Sequence, residues 1–139
     1  MKYLKIHTLD RGKWYDKDTI LLHAAFQLLV DFVEQEEPEQ VCDWQYDELH
    51  RDAWREITQL YTWWKQERPD RRDPFDDVAR PPEEEYTITD KGRMIFPDEK
   101  EYPDYYAALD ESAKLEQEWH KEDQKNLHRL IDVRPFLWT

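Results

Sequence analysis

The chain has 139 residues, enough for one domain with a core of its own. Apolar residues make up 39% and charged residues 38%, but seven Trp, eight Tyr and five Phe supply rings for burial, which excludes a wholly disordered chain. The net charge of −13 excludes sequence-independent affinity for double-stranded nucleic acid or anionic membrane, because both need a surplus of Lys and Arg.

Taken in chain order, Tyr3 to Thr8 alternate weakly, with Leu4 and Ile6 on one side, which is the pattern of a short edge strand. A first helix is expected over residues 18–36. Leu21, Leu22, Ala25, Phe26, Leu29 and Val33 recur at helical spacing, and Leu28, Val30 and Phe32 widen the apolar face enough to make the helix central. Asp16 or Asp18 is the expected cap. A second helix is expected over residues 47–67, ended by Pro69. Its buried stripe is Ala53, Trp54, Ile57, Leu60, Tyr61 and Trp64, and Trp63 falls off that stripe.

Residues 69–85 hold four prolines and many charges and read as an extended, unpacked connector. The segment YTITDKGRMIF alternates on either side of Asp90-Lys91-Gly92, which predicts a short hairpin with Gly92 at positive φ. Arms this short are expected to pack on something. The last helix is expected over residues 103–134, with Leu109, Ala113, Glu116, Trp119, Asp123, Leu127, Leu130 and Ile131 on one stripe. Phe136, Leu137 and Trp138 come just before the last residue, Thr139, and are expected either to dock on the core or to anchor a partner. The expected fold is therefore mainly α, with three principal helices and a short β-hairpin in a single domain, and an N-terminal strand as a further expectation.

The charge is unevenly spread. Residues 1–30 carry five basic and three acidic side chains, whereas residues 31–52 carry nine acidic and one basic. Such a stretch serves as a solvating face, and it also suits a basic protein or a cation. The one cysteine, Cys42, permits no internal disulfide and suits a reducing compartment. The N-terminal MKYLKIHTLDRGKW lacks a signal peptide's apolar run, and no stretch reaches the roughly 20 apolar residues of a membrane span. The expected setting is the cytoplasm.

Three blocks, WYDKDTILLHAAFQLLVDFVEQE, LYTWWKQERPDRRDP and EWHKEDQKNLHRLIDVRPFLWT, resemble a family of small proteins of tailed-phage genomes. The resemblance covers most of the chain outside the hairpin. It implies a host-cytoplasm or virion setting and a role in binding. The family has no assigned activity, so no catalytic residue is carried over.

Chemistry-bearing constellations are few. Asp31 and Glu34 on the first helix, with Glu48 and Asp52 on the second, provide oxygen ligands for Mg²⁺ or Mn²⁺ if the two acidic helices face each other. All-helical nucleotide pyrophosphohydrolases use that plan, although here Arg51 breaks the second motif. Asp47-x-x-His50 is half of a ferritin-like di-metal motif, and its second half is missing. His120 and Asp123 lie one turn apart, and His23 flanks the apolar face of the first helix. Cys42 with a histidine would make a nucleophile–base pair, but it lies in an acidic connector. Gly12 and Gly92 form no phosphate-binding loop.

The basic cluster Lys65, Arg68, Arg71 and Arg72 beside Trp63 and Trp64 is the best local candidate for a ligand surface. Arginines beside aromatics stack on bases and pair with phosphates, and an exposed Trp beside Arg is also what an interface hot spot looks like. The competing reading is that Asp70 and Asp73 neutralise the cluster and Trp64 is core. The leading expectation is a non-catalytic protein-binding module without cofactor. Its contacts would be Trp63, Lys65, Arg68, Arg71, Arg72 and Trp138, and its partner a protein, including a second copy of itself. The alternatives are a metal-dependent nucleotide hydrolase using the four carboxylates and a binder of a small anionic nucleotide.

Overall fold

A computed structural model describes residues 3–82, 84 and 86–138 of the chain. The fold is mainly helical, with three long helices and one two-stranded antiparallel hairpin. The chain forms two compact units. One comprises residues up to Asp70 together with Lys121 onward, and the other comprises Arg71–His120.

In the first unit, α1 spans Lys17–Gln35, a short turn of helix α2 spans Pro38–Val41, and α3 spans Glu48–Thr62. Phe26, Leu29, Val30 and Phe32 of α1 are buried against Ala53, Ile57 and Leu60 of α3. Leu21 and Leu28 are exposed, so α1 is not central on all sides. Asp16 holds the N-cap position without a side-chain cap bond, and Asp18 instead accepts from the Thr19 N–H at 2.9 Å. Asp47 caps α3 by accepting from the His50 N–H at 2.8 Å, which satisfies one of the orphan donors of a helix start.

No strand forms over residues 3–8. Two side chains of α1 hold this segment instead. Gln27 accepts from the His7 N–H at 3.1 Å, and the Thr8 hydroxyl lies 2.7 Å from Nδ1 of His23. A lone strand with no sheet partner has no reason to form.

The helix begun by α3 continues as a π-turn over Trp63–Glu67, in which the Arg68 N–H donates to the Trp63 carbonyl, five residues back. Trp63 is 6% exposed and belongs to the core. It lies on the side of α3 that also carries Glu56, and the last helix covers that side. Trp63 Nε1 donates to Glu122 at 2.7 Å, and Arg129 forks onto Glu56 at 2.8 and 2.7 Å. The helix therefore has two buried faces where the apolar spacing shows one.

α4 runs unbroken over Pro103–Val133, through both units. Its buried positions are Ala108, Ser112, Asn126, Leu130 and Val133, with Tyr105, Leu115, Trp119, Asp123 and Leu127 half-buried. Leu109, Ala113, Glu116 and Ile131, expected on the inner stripe, are exposed. The true stripe is shifted by one in the first half because it includes a polar member. Ser112 is buried while donating to Asp73 at 3.1 Å. The terminal aromatics fold back on the first unit. Trp138 lies edge-on to Phe32 at 6.1 Å and parallel to Trp44 at 6.4 Å, and Phe136 meets His50 at 5.6 Å.

The second unit begins in the proline-rich segment, which is packed rather than free. A 3₁₀ turn over Pro74–Asp77, capped by Asp73, presents Phe75 to Tyr105 at 5.3 Å, and Pro81 is buried. The hairpin pairs β1, Thr87–Ile88, with β2, Met94–Ile95. Thr87 faces Ile95 and Ile88 faces Met94.

Candidate interaction surface

The turn of the hairpin follows from its sequence. The Gly92 N–H donates to the Thr89 carbonyl, and the Thr89 N–H donates to the Arg93 carbonyl, both at 2.8 Å. Gly92 has φ of +77°, the left-handed position that a three-residue hairpin loop requires. The Arg93 N–H is taken by the Thr89 hydroxyl at 3.1 Å.

The base of the hairpin is tied to α4 by tyrosine hydroxyls, Tyr106 to the Pro97 carbonyl and Tyr86 to Tyr105. Tyr86 lies edge-on to Phe96 at 5.5 Å, and Tyr105 lies edge-on to Tyr106 at 5.3 Å. Burial, then a hydrogen bond with Tyr105, pushes the Tyr86 phenol above its ordinary value, and burial does the same to Tyr106. Both phenols stay neutral across the physiological range and act as packing groups with polar tips.

The hairpin beyond that base is uncovered. Ile88 is 70% exposed, Met94 51%, Ile95 50% and Phe96 58%. Neighbouring residues of a strand point to opposite faces, so both faces of this small sheet present apolar side chains to solvent. Among the described residues, the expectation that the arms pack on something is met at the base, through Tyr86 and Pro97, and not at Ile88, Met94 and Ile95. An isolated two-stranded hairpin gains little stability on its own. Exposed apolar groups on an open-edged sheet are the features that proteins ordinarily bury or blunt.

The residues singled out by spacing are mostly occupied elsewhere. Arg68 forks onto Asp123 at 3.0 and 3.1 Å and lies 4.9 Å from the ring centre of Trp64, which stacks on Phe26 at 4.6 Å. Lys65 reaches Glu34 at 3.5 Å. Arg71 sits over Trp119 at 5.6 Å, and Arg72 is exposed. Trp63 is core and Trp138 is half-buried on the core, so neither is the exposed ring of a hot spot. The basic cluster is thus used for internal packing and pairing. Asp73 serves as the cap of the following turn and as the acceptor for Ser112, and Trp64 is core, as the competing reading expected.

The four carboxylates of the metal reading do not converge. Asp31 accepts from Gln27 at 2.9 Å and from Gln35 at 3.3 Å, Glu34 pairs with Lys65 and Tyr61, Asp52 pairs with Arg55, and Glu48 is exposed. Among the described residues no group of three or more His, Cys, Asp or Glu is close enough to share a metal ion. His50 bonds Asp47 through Nδ1 at 2.7 Å within one turn of α3, and among the described residues no further His or carboxylate joins them in a metal-binding group. Burial, then the charge of Arg68, lowers the pKa of His23. Cys42 lines a shallow recess with Trp44 and Trp54 in which no histidine takes part.

No protein-family model, curated protein or solved structure matches the chain. Among the described residues no helix is long and apolar enough to cross a membrane.

The hairpin surface went unread from sequence because alternation within residues 86–96 marks strands without saying what lies over them.

Proposed function

We propose that the protein is a non-catalytic binding module whose contact surface is the hairpin over residues 86–96. What supports this reading is the uncovered apolar surface on both faces of a sheet with two free edges. Burying such side chains contributes about 25 cal/mol per Å² of apolar area, so a partner protein gains most by seating there. The resemblance to small tailed-phage proteins agrees with a binding role in a host cytoplasm or a virion. The partner class is protein, because the net charge of −13 opposes both phosphate backbones and anionic lipid surfaces.

The test is a paired substitution, Ile88→Asp with Phe96→Asp, compared with the wild-type chain. Both side chains are exposed, so the fold is expected to survive with its Trp fluorescence unchanged. Cross-linking or co-purification partners of the wild-type protein are expected to be lost in the variant. A partner held equally by both proteins would move the surface elsewhere. A wild-type chain that associates with no protein, itself included, would overturn the reading.

A further inference from the structure

We propose that the hairpin's occupant is a second copy of this chain, paired antiparallel through β2 about a two-fold axis at Ile95, so that two hairpins become one four-stranded sheet. This deepens the binding reading and rests on it.

The backbone register carries the first part. Thr89 and Arg93 are a hydrogen-bonded pair across the hairpin. Pairs alternate along an antiparallel ladder, so Ile88 and Met94 form a non-hydrogen-bonded pair, and Thr87 and Ile95 form the next bonded one. The peptide groups of Met94 and Phe96 therefore point away from β1, along the outer edge of β2. The ladder to β1 uses neither of these peptide groups. With a two-fold axis at Ile95, Met94 lies opposite Phe96 of the other copy. Each Met94 N–H then donates to the facing Phe96 carbonyl, and each Phe96 N–H to the facing Met94 carbonyl. The β2 edges of both copies are satisfied at once. Pro97, which has no N–H, falls opposite Arg93, whose own N–H is already taken by Thr89.

Charge carries the second part. The segment Lys91-Gly92-Arg93-Met94-Ile95-Phe96-Pro97-Asp98-Glu99 has basic residues before its apolar core and acidic residues after it. All four charged side chains are exposed. Antiparallel pairing brings the basic end of each segment, Lys91 and Arg93, to the acidic end of the other, Asp98 and Glu99. The segment is self-complementary in hydrogen bonding, apolar pattern and charge, which a two-fold interface requires. Pairing also gathers Ile88, Met94 and Phe96 of both copies on one face.

The β1 edge is the poorer candidate. It offers one exposed apolar residue, Ile88, and its neighbour Tyr86 is half-buried against Phe96.

Sedimentation velocity and light scattering over a concentration series test the proposal. The wild-type chain is expected to dimerise in the micromolar range, as suits a small interface. Met94→Pro removes an outward N–H that the hairpin does not use, so it is expected to give monomers, whereas Ile88→Pro, its counterpart on the other edge, leaves the dimer. Lys91→Glu and Glu99→Lys are each expected to weaken the dimer about tenfold, and the two together to restore it. A chain that stays monomeric up to about 100 μM, where a contact of this strength is saturated, overturns the proposal. So does a dimer indifferent to Met94→Pro and to the charge exchange. If that monomer still binds another protein through Ile88 and Phe96, the binding reading stands and only the self-pairing falls.

Discussion

At the scale of single residues, several side chains work in places their neighbours alone do not announce. Glu37 has φ of 48°, a left-handed conformation that costs an ordinary residue about 1–2 kcal/mol, and it directly precedes Pro38. Glycine is free of that penalty but loses more chain entropy on folding. Glu37→Gly is therefore expected to raise stability modestly, by about 0.5–1 kcal/mol, in urea denaturation. Arg129 donates to both oxygens of Glu56, and its hydrogen bond holds the Glu56 carboxyl below the ordinary carboxylate range. Because the side chains are 29% and 37% exposed, Arg129→Ala is expected to cost only about 1 kcal/mol. Glu56 has a lowered folded pKa, so its contribution is complete above the unfolded value and is lost as pH falls through the folded one. His23 behaves in the same sense. Burial favours its neutral form, so its contribution to stability is intact above its ordinary value of 6.5 and is lost progressively as pH falls below that. A pH titration of stability is expected to show this step between neutrality and mildly acid conditions, and His23→Gln to remove it.

At the scale of elements, the π-turn and the hairpin are where local pattern and tertiary role part company. Trp63 is buried beside Trp64 because α4 covers the flank of α3 that carries Glu56. Trp63→Ala is expected to cost about 3–5 kcal/mol in chemical denaturation, the range for a large buried aromatic. Trp138→Ala, at a half-buried position, is expected to cost roughly half as much. In the hairpin, Gly92 holds φ of +77° with nothing within 4 Å of an added Cβ, so Gly92→Ala is limited by backbone strain alone. It is expected to reduce hydrogen-exchange protection at Thr89 and Arg93 while leaving the first unit's protection unchanged, and Gly92→Asn to recover part of it.

At the scale of the whole molecule, the chain divides into two compact units that α4 passes through. The first closes on itself non-locally, since residues after Lys121 pair with Glu56, Trp63 and Arg68. The second is smaller and more acidic, with fifteen acidic against seven basic residues between Arg71 and His120. Its core is a set of aromatic and proline contacts, with the exposed hairpin beyond it. Proteolysis under native conditions is therefore expected to begin in the segment around residues 86–101. The two resulting fragments are expected to stay together on size exclusion and to separate only in denaturant. Fragments that part in native buffer would mean that the pairing of α4 with α3 is weak.

The sequence by itself determined the element list. Helical spacing of Phe26, Leu29 and Val33, the Asp47 cap and the Asp90-Lys91-Gly92 turn are local properties, set by side-chain periodicity and backbone sterics within a few residues. The fold class follows from them. Tertiary structure alone decided which side of each element is covered. Residues far apart in the chain settle that, as when Glu122 meets Trp63 or Asp73 draws Ser112 inward. The basic cluster read as a ligand surface because Asp123 lies 55 residues from Arg68, beyond the reach of any local pattern. The hairpin read as packed because periodicity reports that a strand has an apolar side, and only the folded second unit shows that Ile88, Met94 and Ile95 stay exposed.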